Sequence, residues 1–304
     1  MSGQQLLKHA GGQIDGIFGG PPCQGFSAMG HRKVDDPRRE LLGHFFRLVS
    51  EVSPAFFVME NVVGLSYANA KPVLDDALAQ IAGRYNIVGP LVLDAAEYGA
   101  ATKRRRLFVI GYDPMRCHAI TEADLLDVKR PSATVADAIG DLNLAVEAGE
   151  ISGFDIWYLP EGKDANPYRS SLRSNDRKFT GHRPTIHTAE VVARFDKVPP
   201  GSTDKVGRHP RLSWQGQCPT LRAGTGRDRG SFQSVRPIHP DLPRVITVRE
   251  AARLQGFPDS FKFHPTVWHS FRMIGNSVSP IMSEALFATL KSKLFGGATA
   301  IAAE

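Results

Sequence analysis

The chain has 304 residues, 42% of them hydrophobic and 22% charged, with a formal net charge of +6 at pH 7. That length suits one large domain plus a smaller one, with room for a sizeable core. The sequence has no apolar run near the roughly 20 residues that span a bilayer and no apolar signal core in MSGQQLLKHAGGQ. Among Cys23, Cys117 and Cys218 there is no CxxC pair, so neither a zinc ribbon nor a disulfide framework is indicated. A cytoplasmic protein is the default, with Cys117 and Cys218 as small buried apolar residues.

Residues 14–20, IDGIFGG, form a short apolar run ending in glycines and read as a buried strand followed by a loop. Glu40–Glu51 has helical spacing, and Pro54–Asn61 (PAFFVMEN) reads as a second buried strand. Pro72–Ala82 is helical again, and Tyr85–Leu93 and Arg106–Gly111 read as strands. Strands alternating with helices favour a layered α/β sheet. Catalytic residues of such sheets sit beyond the carboxyl ends of strands, where PPCQ and MEN both fall. From about Asp155 to Arg236 the periodicity fades, as expected of short strands and loops. Thr247–Leu254 is a helix with a threonine N-cap and Glu250 in the capping-box position; Ser279–Leu294 is a second C-terminal helix.

Charge is unevenly spread. Tyr168 to Arg236 holds fourteen Lys and Arg against five Asp and Glu, a net of +9, so the remainder carries −3. A solvated basic loop region would account for this; a nucleic-acid footprint is the sharper reading.

Three segments carry chemistry. In Gly19-Gly20-Pro21-Pro22-Cys23-Gln24-Gly25-Phe26-Ser27 a cysteine stands just past a buried strand, in a loop stiffened by two prolines. Its flanking glycines let backbone approach a ligand. In Met59-Glu60-Asn61-Val62 a glutamate directly follows an apolar run. Desolvation there would raise its pKa and let it donate a proton near neutral pH, although a strand-end carboxylate can equally cap the next turn. In Tyr98–Arg106, YGAATKRRR, alternation along an extended segment places Arg104 and Arg106 on one face.

In this order the three segments resemble the cytosine-5 DNA methyltransferase family. RVITVREAARLQGFPD (Arg244–Asp259) and IGNSVSP (Ile274–Pro280) resemble its later motifs, so the resemblance runs from about Ile14 to the last helix. It implies an α/β, Rossmann-like sheet that uses S-adenosylmethionine, with a smaller, irregular, β-rich target-recognition domain. Residues 1–150 would be the catalytic domain, 151–240 the recognition domain, and 241–304 a segment returning to the catalytic domain. It also implies roles. Cys23 would be the nucleophile on a flipped cytosine. Glu60 would protonate the base, and Arg104 and Arg106 would bind the flipped nucleotide and lower the thiol pKa. Pro22, Leu41, Asn276, Ser277 and Val278 would contact S-adenosylmethionine. No metal is implied. The partner is duplex DNA, and a compact bacterial restriction-modification enzyme is the expected setting. An RNA cytosine methyltransferase and a non-catalytic DNA-binding fragment are the alternatives.

The sequence also departs from the family pattern. The glycine-rich FxGxG cofactor loop, its ribose-binding acid and the next adenine-contacting segment are absent before Ile14. The expected sheet is therefore truncated at its N-terminal side, with the IDGIFGG strand as an exposed apolar edge. Such a chain would be inactive alone if the missing motif is essential. A start upstream of Met1, a separate N-terminal polypeptide or decay would each account for it. Thr102 stands where the family has glutamine, and Val248 where it has proline.

Overall fold

A computed structural model describes residues 1–22, 40–68, 70–162, 166–222 and 235–296. The chain divides into two compact units. The first takes residues 1–94, 105–128 and 285–304; the second takes 95–104 and 129–284.

The first unit contains α1 (Gly3–Ala10), β1 (Gly16–Gly19), α2 (Glu40–Val52), β2 (Phe56–Asn61), α3 (Lys71–Ala79), β3 (Asn86–Asp94), β4 (Arg105–Tyr112) and α4 (Glu122–Leu126). Its sheet has the order β1-β2-β4-β3. β1 and β2 run parallel, while β4 is antiparallel to both β2 and β3. Leu42, Phe46 and Val49 repeat at helical spacing along α2 and are fully buried. They meet Phe57 and Met59, alternate residues of β2, and Leu107 and Val109 of β4 in one core. α1 was not evident from sequence periodicity. Ser2 caps it, forming a capping box with Gln5, and the Gly3 amide donates to Glu51 of α2 at 2.5 Å.

Among the described residues β1 pairs with β2 alone and lies at the sheet edge, and Phe18 is 70% exposed. Its ring touches Phe287 edge-on, with centroids 5.3 Å apart. IDGIFGG, read from its sequence as a buried strand, thus has no fully buried residue in β1.

The second unit begins with α5 (Val135–Ile139), β5 (Val146–Ile151), β6 (Phe154–Tyr158), α6 (Pro167–Leu172), β7 (Lys178–Thr180) and α7 (Ala189–Asp196). It continues with α8 (Val248–Gln255), α9 (Val267–Asn276) and the start of α10 (Pro280–Phe295). β5, β6 and β7 form an antiparallel meander. The core joins Val135 and Ile139 of α5, Ala251 and Ala252 of α8, and Phe271 and Ile274 of α9 with Phe179, Leu212 and Leu221. Inside it, Arg253 lies 2.6 Å from both Asp141 and Asp259. Such buried charges are tolerated because each is paired and hydrogen-bonded.

Most strands and helices fall within a few residues of their expected places. The Thr247–Glu250 capping box forms as read, with Glu250 N donating to Thr247 Oγ1 at 3.1 Å and Thr247 N to Glu250 Oε2 at 2.8 Å. Gly256 closes α8 at φ +91°, a left-handed position that favours glycine. One expectation changes. The Asp155–Arg236 stretch contains α6 and α7 as well as strands, because Asn166 and Thr188 cap short helices there. The second unit holds more of the chain than the first. The chain changes unit at 94/95, 104/105, 128/129 and 284/285, and α8 and α9 pack into the second unit's core.

Candidate active site

In the first unit the parallel register sets Gly19 beside Met59. The chain therefore leaves β1 through Gly20-Pro21-Pro22 at the same carboxyl edge where Glu60 and Asn61 end β2, the usual place for ligands in such sheets. Asn61 is buried. Its Nδ2 donates to the Pro21 carbonyl at 3.1 Å and its Oδ1 accepts from the Val62 amide at 2.8 Å. The loop leading to Cys23 is thus tied to the end of β2. Cys23 itself lies outside the described residues. A Cβ on Gly20 would stand 2.8 Å from Glu60 Oε2, so glycine leaves room for that carboxylate.

Glu60 pairs with Arg106, Nε to Oε1 at 2.8 Å, and both side chains are less than one-fifth exposed. Burial pulls the Arg106 guanidinium below its ordinary pKa, and Glu60 opposes that pull. From its place after an apolar run Glu60 is expected to be a desolvated acid with a raised pKa. The guanidinium changes this, because an opposite charge at hydrogen-bonding distance favours the charged form and works against desolvation. Pro22 is exposed, and Leu41, in the first turn of α2, is 37% exposed.

Arg104 behaves differently from Arg106. β4 begins at Arg105, so the alternation argument does not reach Arg104. Its side chain is fully buried in the second unit. Nη1 donates to the Leu221 carbonyl at 3.1 Å and Nη2 to the Gly275 carbonyl at 2.6 Å. Arg104 thereby braces the turn that carries Asn276, Ser277 and Val278. Asn276 ends α9 and is exposed; Ser277 and Val278 are half-buried. Ser277 Oγ donates to the Ile274 carbonyl at 2.8 Å. Gln255 adds a brace absent from the sequence reading: its Nε2 donates to the Ser277 carbonyl at 3.3 Å, and Ser279 Oγ donates to the Gln255 carbonyl at 2.8 Å. Thr102 is buried and donates to the Cys218 carbonyl at 3.1 Å, so it serves a neighbouring segment. Cys117 and Cys218 are free and buried, as expected, and burial pushes both thiols above their ordinary pKa.

The structure therefore joins Glu60, Arg106 and the Pro21-Pro22 loop in the first unit. In the second it joins Arg104 to residues 275–278. Asn61, which ties the loop to β2, has no assigned role in the sequence reading, although its place at the end of a buried strand was a signal. Among the described residues no group of three His, Cys, Asp or Glu could hold a metal, and no helix is long and apolar enough to cross a membrane.

The first unit is thus an α/β unit whose parallel β1-β2 edge presents a Pro-Pro loop beside a part-buried Glu–Arg pair. The family model for C-5 cytosine-specific DNA methylases matches residues 4–292, and the chain belongs to that family, whose enzymes are DNA (cytosine-5-)-methyltransferases. It is 40% identical to the type II methyltransferase M.XorII of Xanthomonas oryzae pv. oryzae, over 94% of this chain and 70% of that protein. It is 31% identical to the type II methyltransferase M.DdeI of Desulfomicrobium norvegicum, over 92% of this chain and 73% of that one. A solved structure described as a prophage-encoded DNA modification methyltransferase (E. coli) superposes with a TM-score of 0.81 at 36% identity, covering 96% of this chain and 83% of that one. S. pombe Dnmt2, at 16% identity and a TM-score of 0.58, covering 96% of this chain and 81% of that one, shares the fold.

Proposed function

We propose that the chain methylates carbon 5 of a cytosine flipped out of duplex DNA, with S-adenosylmethionine as methyl donor and Cys23 as nucleophile. The observation that carries this reading is the Glu60–Arg106 pair beside the loop that Asn61 ties down on its way to Cys23.

Carbon 6 of cytosine is a weak electrophile. Addition of the Cys23 thiolate there makes carbon 5 nucleophilic; once carbon 5 carries the methyl group, a base removes its proton and elimination breaks the carbon 6–sulfur bond, freeing the thiolate. The base must leave the stack before carbon 6 can be reached. Glu60 holds the base edge and, in its protonated form, supplies a proton to N3; Arg106 keeps the carboxyl group aimed, although its charge favours the ionised form that must first take up a proton. Arg106 also offers a cation to the flipped nucleotide. Arg104 was read from the sequence as a second such cation; its two carbonyl bonds support the role of a positioning residue for the 275–278 turn instead. S-adenosylmethionine supplies an electrophilic methyl group when bound. On the first unit Pro22 and Leu41 offer it apolar surface. The type II relatives favour a bacterial modification enzyme of a restriction-modification system.

The test is transfer of labelled methyl groups to duplex DNA by the purified chain and by Cys23→Ser. Wild-type transfer to cytosine carbon 5, with loss of transfer but retained DNA binding in the variant, supports the reading. Undiminished methylation by Cys23→Ser refutes the nucleophile, and faster transfer to structured RNA than to duplex DNA refutes the substrate. Calorimetric titration with S-adenosylmethionine, with DNA present and absent, tests the donor site separately.

A further inference from the structure

We propose that a groove in the second unit, flanked by Arg208 and Arg222, seats a backbone phosphate of the bound duplex. The groove encloses about 280 Å³, and Thr203, Pro210, Pro219 and Thr220 share its lining with the two arginines. That is smaller than the roughly 300–1,000 Å³ of a drug-sized ligand pocket. It suits one phosphate with part of its sugar.

The walls are held on both sides. Thr203 and Pro210 form a β-bridge, and the Asp204 amide donates to the His209 carbonyl at 2.8 Å. The Asp204 carboxylate is taken up by the Gly207 amide at 2.7 Å and the Val206 amide at 3.3 Å, with Arg194 at 3.4 Å. On the opposite wall Thr220 Oγ1 donates to the Lys103 carbonyl at 2.7 Å, and Arg104 holds the Leu221 carbonyl. Arg208 sits at φ +60°, a left-handed backbone conformation that costs a non-glycine residue on the order of 1–3 kcal/mol. The hairpin thus holds a strained arginine at the groove instead of the glycine or asparagine that such a position favours.

Charge decides the ligand class. Both arginines are exposed, and among the described residues neither guanidinium has a carboxylate partner. Two fork-shaped cations and a threonine hydroxyl, with no acidic side chain in the lining, match a phosphate diester. Phosphate contacts fix register on the duplex without reading sequence.

This inference rests on the reading of the chain as a duplex-DNA enzyme. Its test is fluorescence anisotropy with a random-sequence duplex and an alternating A·T duplex, across a salt series, for wild type, Arg208→Gln, Arg222→Gln and Lys8→Gln. Lys8 is exposed in the first unit and controls for net charge. Each groove variant is expected to lose roughly fivefold in affinity at about 0.15 M salt on both duplexes, and to flatten the salt slope by about 0.9. Lys8→Gln should keep the wild-type slope. Wild-type affinity in the groove variants, an equal loss in Lys8→Gln, or a loss confined to one duplex overturns the phosphate seat alone. Wild type that binds neither duplex overturns the function reading with it.

Discussion

Arg106 Nε donates to Glu60 Oε1 at 2.8 Å, a diagonal contact set by the register that places Glu60 opposite Phe108 across β2 and β4. Diagonal neighbours share one face of a sheet and lie within reach of long side chains. Replacing Arg106 with methionine leaves a part-buried carboxylate without this cation. We expect a stability loss of about 1–3 kcal/mol, read from urea midpoints, and a fall in methyl transfer of roughly 10²-fold. A variant that loses stability yet keeps its rate would exclude Arg106 from the site.

Gly20→Ala separates position from stability. Its new Cβ meets the far end of the Glu60 side chain, which can move aside, so stability should change by less than about 1 kcal/mol. A carboxylate displaced by about 1 Å can cost roughly 10²-fold in rate. Methylation at the wild-type rate would show that Glu60 needs no close approach to the loop.

Asn61 permits a finer distinction. Asn61→Ala removes both bonds; Asn61→Asp keeps the acceptor for the Val62 amide and loses the donor to Pro21. Each lost bond should cost about 1 kcal/mol in denaturation experiments. If the tie to Pro21 positions the Cys23 loop, both variants fall in kcat, and Asn61→Asp is not spared. Full kcat in the aspartate variant would assign the residue to strand-end capping alone.

Acid stability should depend on Glu250. Burial alone would raise its pKa, but its bonds to Arg244 and the nearby histidines hold it at about 2, against an ordinary 4.5. A depressed carboxylate contributes stability above its unfolded pKa and loses it as pH falls through the folded value. The contribution, on the order of 3 kcal/mol, should therefore disappear between about pH 4.5 and pH 2. Burial also lowers the pKa of His182 and His239 from 6.5, so acid sensitivity begins below that value. Glu250→Gln should flatten the lower part of a stability-against-pH curve measured by urea unfolding; an unchanged curve would contradict the assignment.

The buried strands, the α8 capping box and the two buried cysteines were legible in sequence because each is local: an apolar run, a threonine with its glutamate, an isolated thiol. The Glu60–Arg106 pair was not legible, since it depends on strand order and register. The two arginines look equivalent in the string KRRR, yet the chain changes unit between Arg104 and Arg105. Arg104 then spends its donors on carbonyls of distant segments. α6 and α7 were missed because short capped helices carry too few turns for a hydrophobic period to emerge.

The chain passes between the two units at four places, and residues 95–104 belong to the second although they lie between β3 and β4 of the first. A fragment spanning 129–284 would therefore lack its own Thr102, Lys103 and Arg104, which bind the carbonyls of Cys218, Leu221 and Gly275 and accept from Thr220. Neither a single proteolytic cut nor a simple domain truncation can release an intact half. Transplanting the second unit into another protein would need the ten-residue insert carried along, or a new bridge grafted in its place.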